Sequence, residues 1–254
     1  MTGQAFVTGT SRGLGKACVE YLLQNGWEVV GIGRNVPEFD IKINHDGYEH
    51  ISADLSNAEK TAELILPFKA EAPQHLLINN AACIGEIAPV GKLNNYQLIK
   101  DYNLNVIAPA ILSNKFLMLT KSKFDKNRYI INISSGASKN PYGGWAMYSS
   151  SKAALDAFAQ SVHMENEQIN DKRTFFCSVA PGVIDTNMQE HIRNSNPEYF
   201  PKKNKFIEMH QKHQLKKPST TARKLLDVVL GMRDNNYWVV FDLRDLDPLA
   251  SQIN

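Results

Sequence analysis

Short apolar runs alternate along the chain with longer segments in which apolar residues recur at helical spacing. The apolar runs predict strands at residues 5–8, 28–33, 50–52, 76–79, 129–133, 175–179 and 238–241. The longer segments predict helices at 15–25, 58–70, 96–120, 146–169 and 222–232. Strands that alternate with helices are typical of an α/β fold, so we expect a doubly wound parallel sheet of about seven strands flanked by helices. Residues 35–49 lack a helical pattern, and there we expect a loop.

The junction between the first predicted strand and the first predicted helix is rich in glycine. Gly9, Gly13 and Gly15 follow the strand, and a second predicted strand comes after the helix. Glycine lets the backbone approach a pyrophosphate, and a helix N-terminus offers unpaired amides and the positive end of its dipole. The spacing differs from the usual G-x-G-x-x-G pattern, and such a cluster alone also fits a tight structural turn. The order of strand, glycine turn, helix and strand favours a Rossmann-type dinucleotide fold.

A serine, a tyrosine and a lysine are spaced in a way that suits carbonyl reduction. Ser135 follows a predicted strand, and Tyr148 and Lys152 lie on one face of a predicted helix. An adjacent ammonium favours tyrosinate, so we expect Lys152 to lower the pKa of the phenol from its ordinary value of about 10. A tyrosine and a lysine at this spacing also occur on the surfaces of many helices, so the pair alone is a weak signal.

Four motifs, in order and at the expected spacing, resemble the short-chain dehydrogenase/reductase family over nearly all of the 254 residues. They are the glycine turn after Thr8, the Asn-Asn-Ala-Ala segment at 79–82 with Ala82 in the place of the family's glycine, the Tyr148 and Lys152 pair, and Pro-Gly at 181–182. The resemblance implies a single-domain Rossmann-type fold and a catalytic tetrad of Asn105, Ser135, Tyr148 and Lys152. In this tetrad Tyr148 donates the proton and Ser135 orients the substrate oxygen. Lys152 tunes Tyr148 and bonds the nicotinamide ribose, and Asn105 holds a water of the proton relay.

The resemblance also implies a nicotinamide dinucleotide, and two arginines bear on which one is used. An NAD site places a carboxylate at the end of the second strand, whereas a 2′-phosphate requires cations. Arg34 stands at that position and Arg12 lies within the glycine turn, which favours NADP(H), although solvated arginines are common on any surface. Asp54 resembles the aspartate that accepts from the adenine amino group, and it also suits a helix cap. The implied cofactor residues are Gly9, Ser11, Arg12, Gly13, Leu14, Gly15, Arg34, Asp54, Leu55, Asn80, Ala81, Tyr148, Lys152, Pro181, Gly182, Ile184 and Thr186.

Within the family, residues 144–148 and 181–189 resemble the branch of sepiapterin reductase and the benzil reductases that form (S)-benzoin. The resemblance implies an NADPH-dependent reductase of a small-molecule carbonyl substrate, acting on one carbonyl of a vicinal dicarbonyl. The candidate substrate contacts are Ser135, Trp145 and Tyr148, and Trp145 suits packing beside the catalytic helix equally well. Sepiapterin reductase holds its pterin with a carboxylate near the C-terminus, for which this chain offers Asp242, Asp245 and Asp247. Residues 187–218 are polar and broken by prolines, which fits a substrate lid or a solvated surface excursion.

Two other functions stay open from the sequence. An NADP-dependent alcohol dehydrogenase of another substrate class would use the same residues, because hydride transfer is reversible. A non-catalytic NADP(H)-sensing protein would keep the fold without turnover. Such a sensor is expected to have lost Tyr148 or Lys152, so the intact tetrad disfavours it.

Composition and charge narrow the possible domain organisation and the possible partners. The 254 residues, 43% of them hydrophobic, fit one domain over residues 1–254 with a substantial core. The net charge of +2 gives no reason to expect nucleic acid or an anionic membrane as a partner, and no apolar run reaches the length of a membrane span, so we expect a cytoplasmic protein. Cys18, Cys83 and Cys177 lack metal-binding spacing, so we expect reduced thiols and no metal site. The helices at 96–120 and 146–169 resemble those through which the family forms homodimers and homotetramers.

Overall fold

In a computed structural model of the chain, which describes residues 1–39, 46–120, 125–233 and 237–246, the strands form one parallel sheet. Seven strands pair in the order β3-β2-β1-β4-β5-β6-β7, which confirms the expected doubly wound α/β fold. The strands are β1 (Gln4–Thr8), β2 (Glu28–Gly33), β3 (Tyr48–Ser52), β4 (Gln74–Asn79), β5 (Asn127–Ile133), β6 (Thr174–Ala180) and β7 (Val240–Asp242).

Helices cover both faces of this sheet. Side chains alternate along each strand, so neighbouring residues enter different cores. In β1, Ala5 and Val7 pack with the first and last helices on one face, and Phe6 packs with the fourth and fifth on the other. The α-helices are α1 (Gly13–Gln24), α2 (Ala58–Glu63), α3 (Asn95–Tyr102), α4 (Ala108–Thr120), α5 (Ala146–Gln168), α6 (Asn187–Arg193), α7 (Lys203–Gln211) and α8 (Pro218–Leu230).

A helix was predicted at 58–70, and its second half is not helical, because α2 ends at Glu63. Leu64 already leaves the helical conformation, with ψ of 131°. Pro67 lies inside the predicted range, where it cannot donate a backbone hydrogen bond and its ring pushes Leu66 toward extended backbone. The chain instead runs on irregularly and buries Leu66 in the core beneath α4 and α5.

The helix predicted at 96–120 is interrupted by a π-helical turn, Asn103–Ile107, between α3 and α4. The amide of Ala108 donates to the carbonyl of Asn103, one residue farther than in an α-helix. Pro109 follows at once and cannot donate, which breaks the regular ladder at this point. The turn carries Asn105, and this side chain is buried.

Three further segments differ in detail from their predictions. Residues 187–218, predicted as a substrate lid or a solvated surface excursion, contain α6 and α7 and bury Phe200 and Phe206. The helix predicted at 222–232 begins at Pro218, since proline is favoured in the first helical turn. The last strand begins at Val240 rather than at residue 238. Of the loop predicted at 35–49, residues 40–45 lie outside the described ranges, and 35–39 and 46–47 contain no helix.

The strand order reverses between β1 and β4, which is the topological switch point of the sheet. Chain connections leave these two strands in opposite directions across the sheet, and ligands of such folds bind at the carboxyl ends of the strands at that point. Gly9 follows β1 and Asn80 follows β4, so both lie at this crevice.

Neither a membrane-spanning helix nor a cluster of metal ligands occurs within the described ranges. None of the helices there combines the length and the apolar character that crossing a membrane requires. Those ranges also hold no group of three or more histidine, cysteine, aspartate or glutamate side chains suited to a metal ion.

Candidate active site

A cleft of about 1890 Å³ lies at the carboxyl ends of the strands. Every residue that the sequence assigned to the cofactor lines it, except Gly15, and so do Ser135 and Trp145. Gly15 and Asn105 are not among the residues lining the cleft. The structure thus brings the predicted cofactor and catalytic side chains together, and their individual roles stay predictions.

The glycine turn joins β1 to α1 and leaves the helix N-terminus open. Gly9 and Gly13 have left-handed backbones, with φ of 70° and 58°, which favour glycine. A Cβ atom on Gly15 would lie 2.2 Å from the carbonyl oxygen of Gly9, so the turn and the helix pack too closely for a side chain. Arg12, the N-cap residue, makes no capping hydrogen bond through its side chain, and the first turn carries no acid. The amides of this turn can therefore receive an anion.

Hydrogen bonds tie the glycine turn to the segment after β4. The Asn80 amide group donates to the carbonyl oxygens of Thr8, at 2.9 Å, and Gly9, at 3.1 Å. The Thr8 hydroxyl in turn accepts from the backbone amides of Asn80 and Ala81, both at 2.9 Å. Asn80 thus fixes the turn through its side chain, and Thr8, which the sequence assigned only to the motif, holds both strands. Ala82 does not have a positive φ, so alanine in the place of the family's glycine causes no backbone strain.

Two exposed arginines and one carboxylate line the end of the cleft beside β2 and β3. Arg12 and Arg34 both reach this end. Asp54 accepts hydrogen bonds from the hydroxyl and the amide of Ser56, at 2.8 and 3.0 Å, and these bonds lower its pKa. The alternative interpretation of Asp54 as a helix cap is wrong, because Asn57 caps α2 by accepting from the Lys60 amide at 2.9 Å.

Ser135, Tyr148 and Lys152 meet in the middle of the cleft. Ser135 follows β5, while Tyr148 and Lys152 project from the first turns of α5. The Ser135 hydroxyl lies close enough to the Tyr148 phenol to lower the pKa of that phenol, in opposition to burial. The Lys152 ammonium lies 5.7 Å from the centre of the Tyr148 ring and donates to the carbonyl of Ile133 at 2.8 Å. The spacing of these residues in the sequence thus translates into one compact cluster.

The direction of the Tyr148 pKa differs from the sequence expectation. Burial raises the pKa of Tyr148 because tyrosinate is poorly solvated there, and the hydrogen bond from Ser135 only partly opposes this rise. Burial also lowers the pKa of Lys152 to about 8. The expected lowering of the phenol pKa by Lys152 is therefore wrong for the protein without cofactor. At neutral pH Tyr148 keeps its proton and can donate it.

Asn105 lies behind the cleft and holds the segment after β4. Its side-chain oxygen accepts from the Cys83 amide at 3.0 Å, and its nitrogen donates to the Cys83 carbonyl at 2.8 Å and the Ser151 hydroxyl at 3.2 Å. The Cys83 thiol faces the cleft and donates to Asp101 at 3.1 Å. Burial, followed by this hydrogen bond, raises the pKa of Cys83 to about 12, so it stays a thiol. The sequence analysis missed the roles of Ser151 and Asp101 here.

An aromatic cluster closes the cleft beyond Tyr148. Trp145 stacks on Phe200 with ring centres 4.8 Å apart, and its ring meets that of Tyr148 edge-on at 5.8 Å. Tyr142 and Phe206 complete the cluster. Trp145 is buried and also lines the cleft, so its packing is confirmed and its contact with a substrate stays a prediction.

In the segment that follows β7, the side chain that faces the cleft is that of Arg244. Arg244 lines the cleft, and its Nε and Nη2 donate to the Asp242 carboxylate at 2.9 and 2.6 Å. Asp242 and Asp245 are not among the lining residues, and Asp247 lies outside the described ranges. The sequence analysis considered only the acids of this segment and missed Arg244. Its signal was its position two residues after the last strand, at the carboxyl edge of the sheet.

Known proteins resemble this chain in sequence and in fold. The family described as short chain dehydrogenase matches residues 4–197. Benzil reductase ((S)-benzoin forming) of Bacillus cereus is 34% identical over 233 residues, which cover 88% of this chain and 92% of that protein. Sepiapterin reductase of Rattus norvegicus is 29% identical over 188 residues, which cover 70% of this chain and 68% of that protein. The crystal structure of the KRED1-Pglu enzyme has a TM-score of 0.78 at 27% identity and covers 94% of this chain and 100% of its own.

The family match extends over most of the chain and includes the glycine turn, Ser135, Tyr148 and Lys152. The chain therefore belongs to the short-chain dehydrogenase/reductase family of NAD(P)(H)-dependent oxidoreductases, in the branch of the benzil and sepiapterin reductases.

Proposed function

We propose that the protein is an NADPH-dependent reductase that transfers hydride to one carbonyl of a vicinal dicarbonyl, with Tyr148 as the proton donor. The observation that carries the proposal is the set of residues that line one cleft. Two arginines line one end, and Ser135 and Tyr148 line the cleft farther along, beside Lys152. This arrangement provides for a phosphorylated dinucleotide and for a carbonyl oxygen in the same cavity.

The residues present fit the dinucleotide that the family uses. The open N-terminus of α1 offers amides to a pyrophosphate, and the left-handed Gly9 and Gly13 remove the side chains that would obstruct it. Arg12 and Arg34 offer guanidinium groups to a 2′-phosphate, for which their planar donors are well suited. When bound, the nicotinamide supplies the hydride.

The residues of the chain supply the rest of the chemistry. The Ser135 hydroxyl donates to the substrate carbonyl oxygen and draws electron density from its carbon. Tyr148 then gives its proton to the oxygen as negative charge develops there. Its raised pKa suits this role, because the phenol is protonated before the reaction. The Lys152 ammonium stabilises the phenolate that remains.

Similarity to benzil reductase and sepiapterin reductase supports a vicinal dicarbonyl as the substrate. The second carbonyl withdraws electrons from the first and makes it a better hydride acceptor. The cluster of Tyr142, Trp145 and Phe206 supports a substrate with an apolar or aromatic part, because it lines the cleft next to Tyr148.

The test is the initial rate of NADPH oxidation with benzil, an aliphatic 1,2-diketone, sepiapterin and an isolated monoketone, with NADH in parallel. Faster turnover of the dicarbonyls with NADPH supports the proposal. Oxidation of alcohols with NADP⁺, without reduction of the dicarbonyls, would favour the alcohol dehydrogenase. Tight NADPH binding without any turnover would favour the sensor.

A Tyr148→Phe variant tests the proton donor. It should bind NADPH as tightly as the wild type and lose nearly all turnover, because phenylalanine keeps the ring and removes the O–H. Tyr96→Phe is the matched control, since Tyr96 is 81% exposed and does not line the cleft. Turnover retained by Tyr148→Phe would rule out the assigned donor.

An Arg34→Asp variant tests the cofactor preference. A carboxylate there should repel the 2′-phosphate and accept from the free ribose hydroxyls of NADH, so the ratio of NADPH to NADH efficiency should fall by about tenfold or more. Arg223→Asp is the control, because Arg223 lies on α8 outside the lining of the cleft. An unchanged ratio would show that Arg34 does not select the cofactor.

A further inference from the structure

Arg244 lies against the segment that carries Ser135. Its Nη2 is 3.2 Å from the point where a Cβ of Gly136 would be, and its Cγ and Cδ are 3.4 Å from the corresponding point of Gly182. Glycine at both positions leaves room for the arginine side chain to cross the end of the cleft. The guanidinium therefore lies next to the residue that follows Ser135.

The Asp242 carboxylate orients this guanidinium but occupies only one of its edges. Asp242 is 13% exposed and accepts from Nε and Nη2, whereas the Arg244 side chain is 54% exposed. A guanidinium has five N–H donors. The edge formed by Nη1 and the second hydrogen of Nη2 has no hydrogen-bond partner among the described residues, and it is suited to bind a carboxylate with two parallel bonds.

The charged side chains that line this part of the cleft have one sign, and the Asp242 carboxylate that pairs with Arg244 is not among the lining residues. The lining residues that follow β5, β6 and β7 include Lys152, Lys205 and Arg244, with His191, and no acid. The acids that line the cleft, Glu38, Asp54, Glu86 and Asp101, all come from segments after β2, β3 and β4. An anionic substrate group would thus meet favourable potential on the Arg244 side.

We propose that Arg244 forms a carboxylate subsite beside Ser135, so that the preferred substrates are 2-oxo acids, in which a carboxylate adjoins the reacting ketone. This inference rests on the proposed reductase function and narrows its substrate class. Asp242 is a positioning residue, which holds the guanidinium with one edge toward the cleft. The apolar cluster around Trp145 receives the part of the substrate on the other side of the ketone.

The test compares phenylglyoxylate with 1-phenyl-1,2-propanedione, which share the phenyl ketone and differ in the adjoining carboxylate or acetyl group. In Arg244→Gln, the KM for phenylglyoxylate should rise by about tenfold or more, as expected for the loss of hydrogen bonds between charged groups. The KM for the neutral diketone should change by less than about twofold. Asp242→Asn should raise the KM for phenylglyoxylate by less than Arg244→Gln does, because it leaves the Arg244 charge in place but loses one of the two hydrogen bonds that position the guanidinium. Arg223→Gln is the control for loss of a distant positive charge.

Two kinetic outcomes would contradict the subsite. An equal rise for both substrates in Arg244→Gln would mean that Arg244 only supports the loop of Gly136, and an unchanged KM for phenylglyoxylate would mean that it contacts no carboxylate. If the wild type reduces neither compound, the proposed reductase function fails, and calorimetric titration of phenylglyoxylate then decides the subsite on its own. Tighter binding to the wild type than to Arg244→Gln supports it, and equal or undetectable binding overturns it.

Discussion

Replacement of Gly15 by alanine sets helix propensity against packing at the cofactor turn. Propensity alone favours the change, because alanine is better than glycine by about 1 kcal/mol inside a helix. The added methyl group would lie 2.2 Å from the Gly9 carbonyl oxygen and 2.4 Å from the Asn80 amide nitrogen, and the first of these is backbone. Overpacking of this kind costs about 1–3 kcal/mol or more, and here it also displaces the carbonyl that Asn80 holds. Because the clash is with backbone, we take the upper end of this cost, about 3 kcal/mol, and after the gain of about 1 kcal/mol we expect a net loss of roughly 2 kcal/mol.

The assay is urea unfolding together with fluorescence titration of NADPH. Gly15→Ala should lower the free energy of unfolding and weaken NADPH binding by about tenfold, because both depend on the geometry of the turn. Gly143→Ala is the matched control, since a Cβ at Gly143 meets nothing within 4 Å and its φ is not positive. A Gly15→Ala protein that is as stable as the wild type and binds NADPH equally well would refute the reasoning.

Three further predictions concern buried groups. Burial lowers the pKa of Lys152 from 10.5 to about 8, so the unfolded chain holds this proton more tightly and the residue opposes folding increasingly as the pH falls from 10.5 to about 8. The difference in free energy of unfolding between Lys152→Met and the wild type should therefore be more favourable to the variant at pH 7 than at pH 10.5. An equal difference in urea unfolding at both pH values would contradict this. Asp171→Asn breaks the buried ion pair with Arg128, at 2.6 Å, and should cost about 3–5 kcal/mol in urea unfolding, whereas Asp227→Asn in an exposed pair should cost less than about 1 kcal/mol. Similar losses in the two variants would show that burial does not matter here. Burial raises the pKa of Cys18 and Cys83 to about 12 and that of Cys177 still higher, so a thiol reagent at pH 8 should label the three residues slowly until urea unfolds the chain, and rapid labelling of the native protein would disprove it.

The sequence predicted the sheet well because the signals of its strands are local. Apolar runs bounded by polar residues located all seven strands, although β7 begins two residues later than predicted. The predicted helices were wrong at two prolines. Pro67 ends the regular backbone after α2, and Pro109 accompanies the π-helical turn that carries Asn105. Both signals were present in the sequence.

The candidate site was predicted in its chemistry and less well in its environment. The spacing of Ser135, Tyr148 and Lys152 determined which side chains would be neighbours, because four residues along a helix make one turn. It did not determine how deeply they are buried, and burial reverses the expected shift of the Tyr148 pKa. Arg244 was missed because its position depends on the pairing of β7 with β6, a contact between residues far apart in the chain.

The stacking of Trp145 on Phe200 gives the protein an optical signal of its own. Of the three tryptophans, Trp27 is buried next to Gly3 and Trp238 is 58% exposed, so neither contacts the aromatic cluster. With both replaced by phenylalanine, the remaining indole emission comes from a ring that touches Tyr148 on one side and residues of the 187–218 segment on the other. Any movement of that segment relative to α5 changes the surroundings of this indole, so stopped-flow fluorescence can time the movement in a protein that carries no added dye.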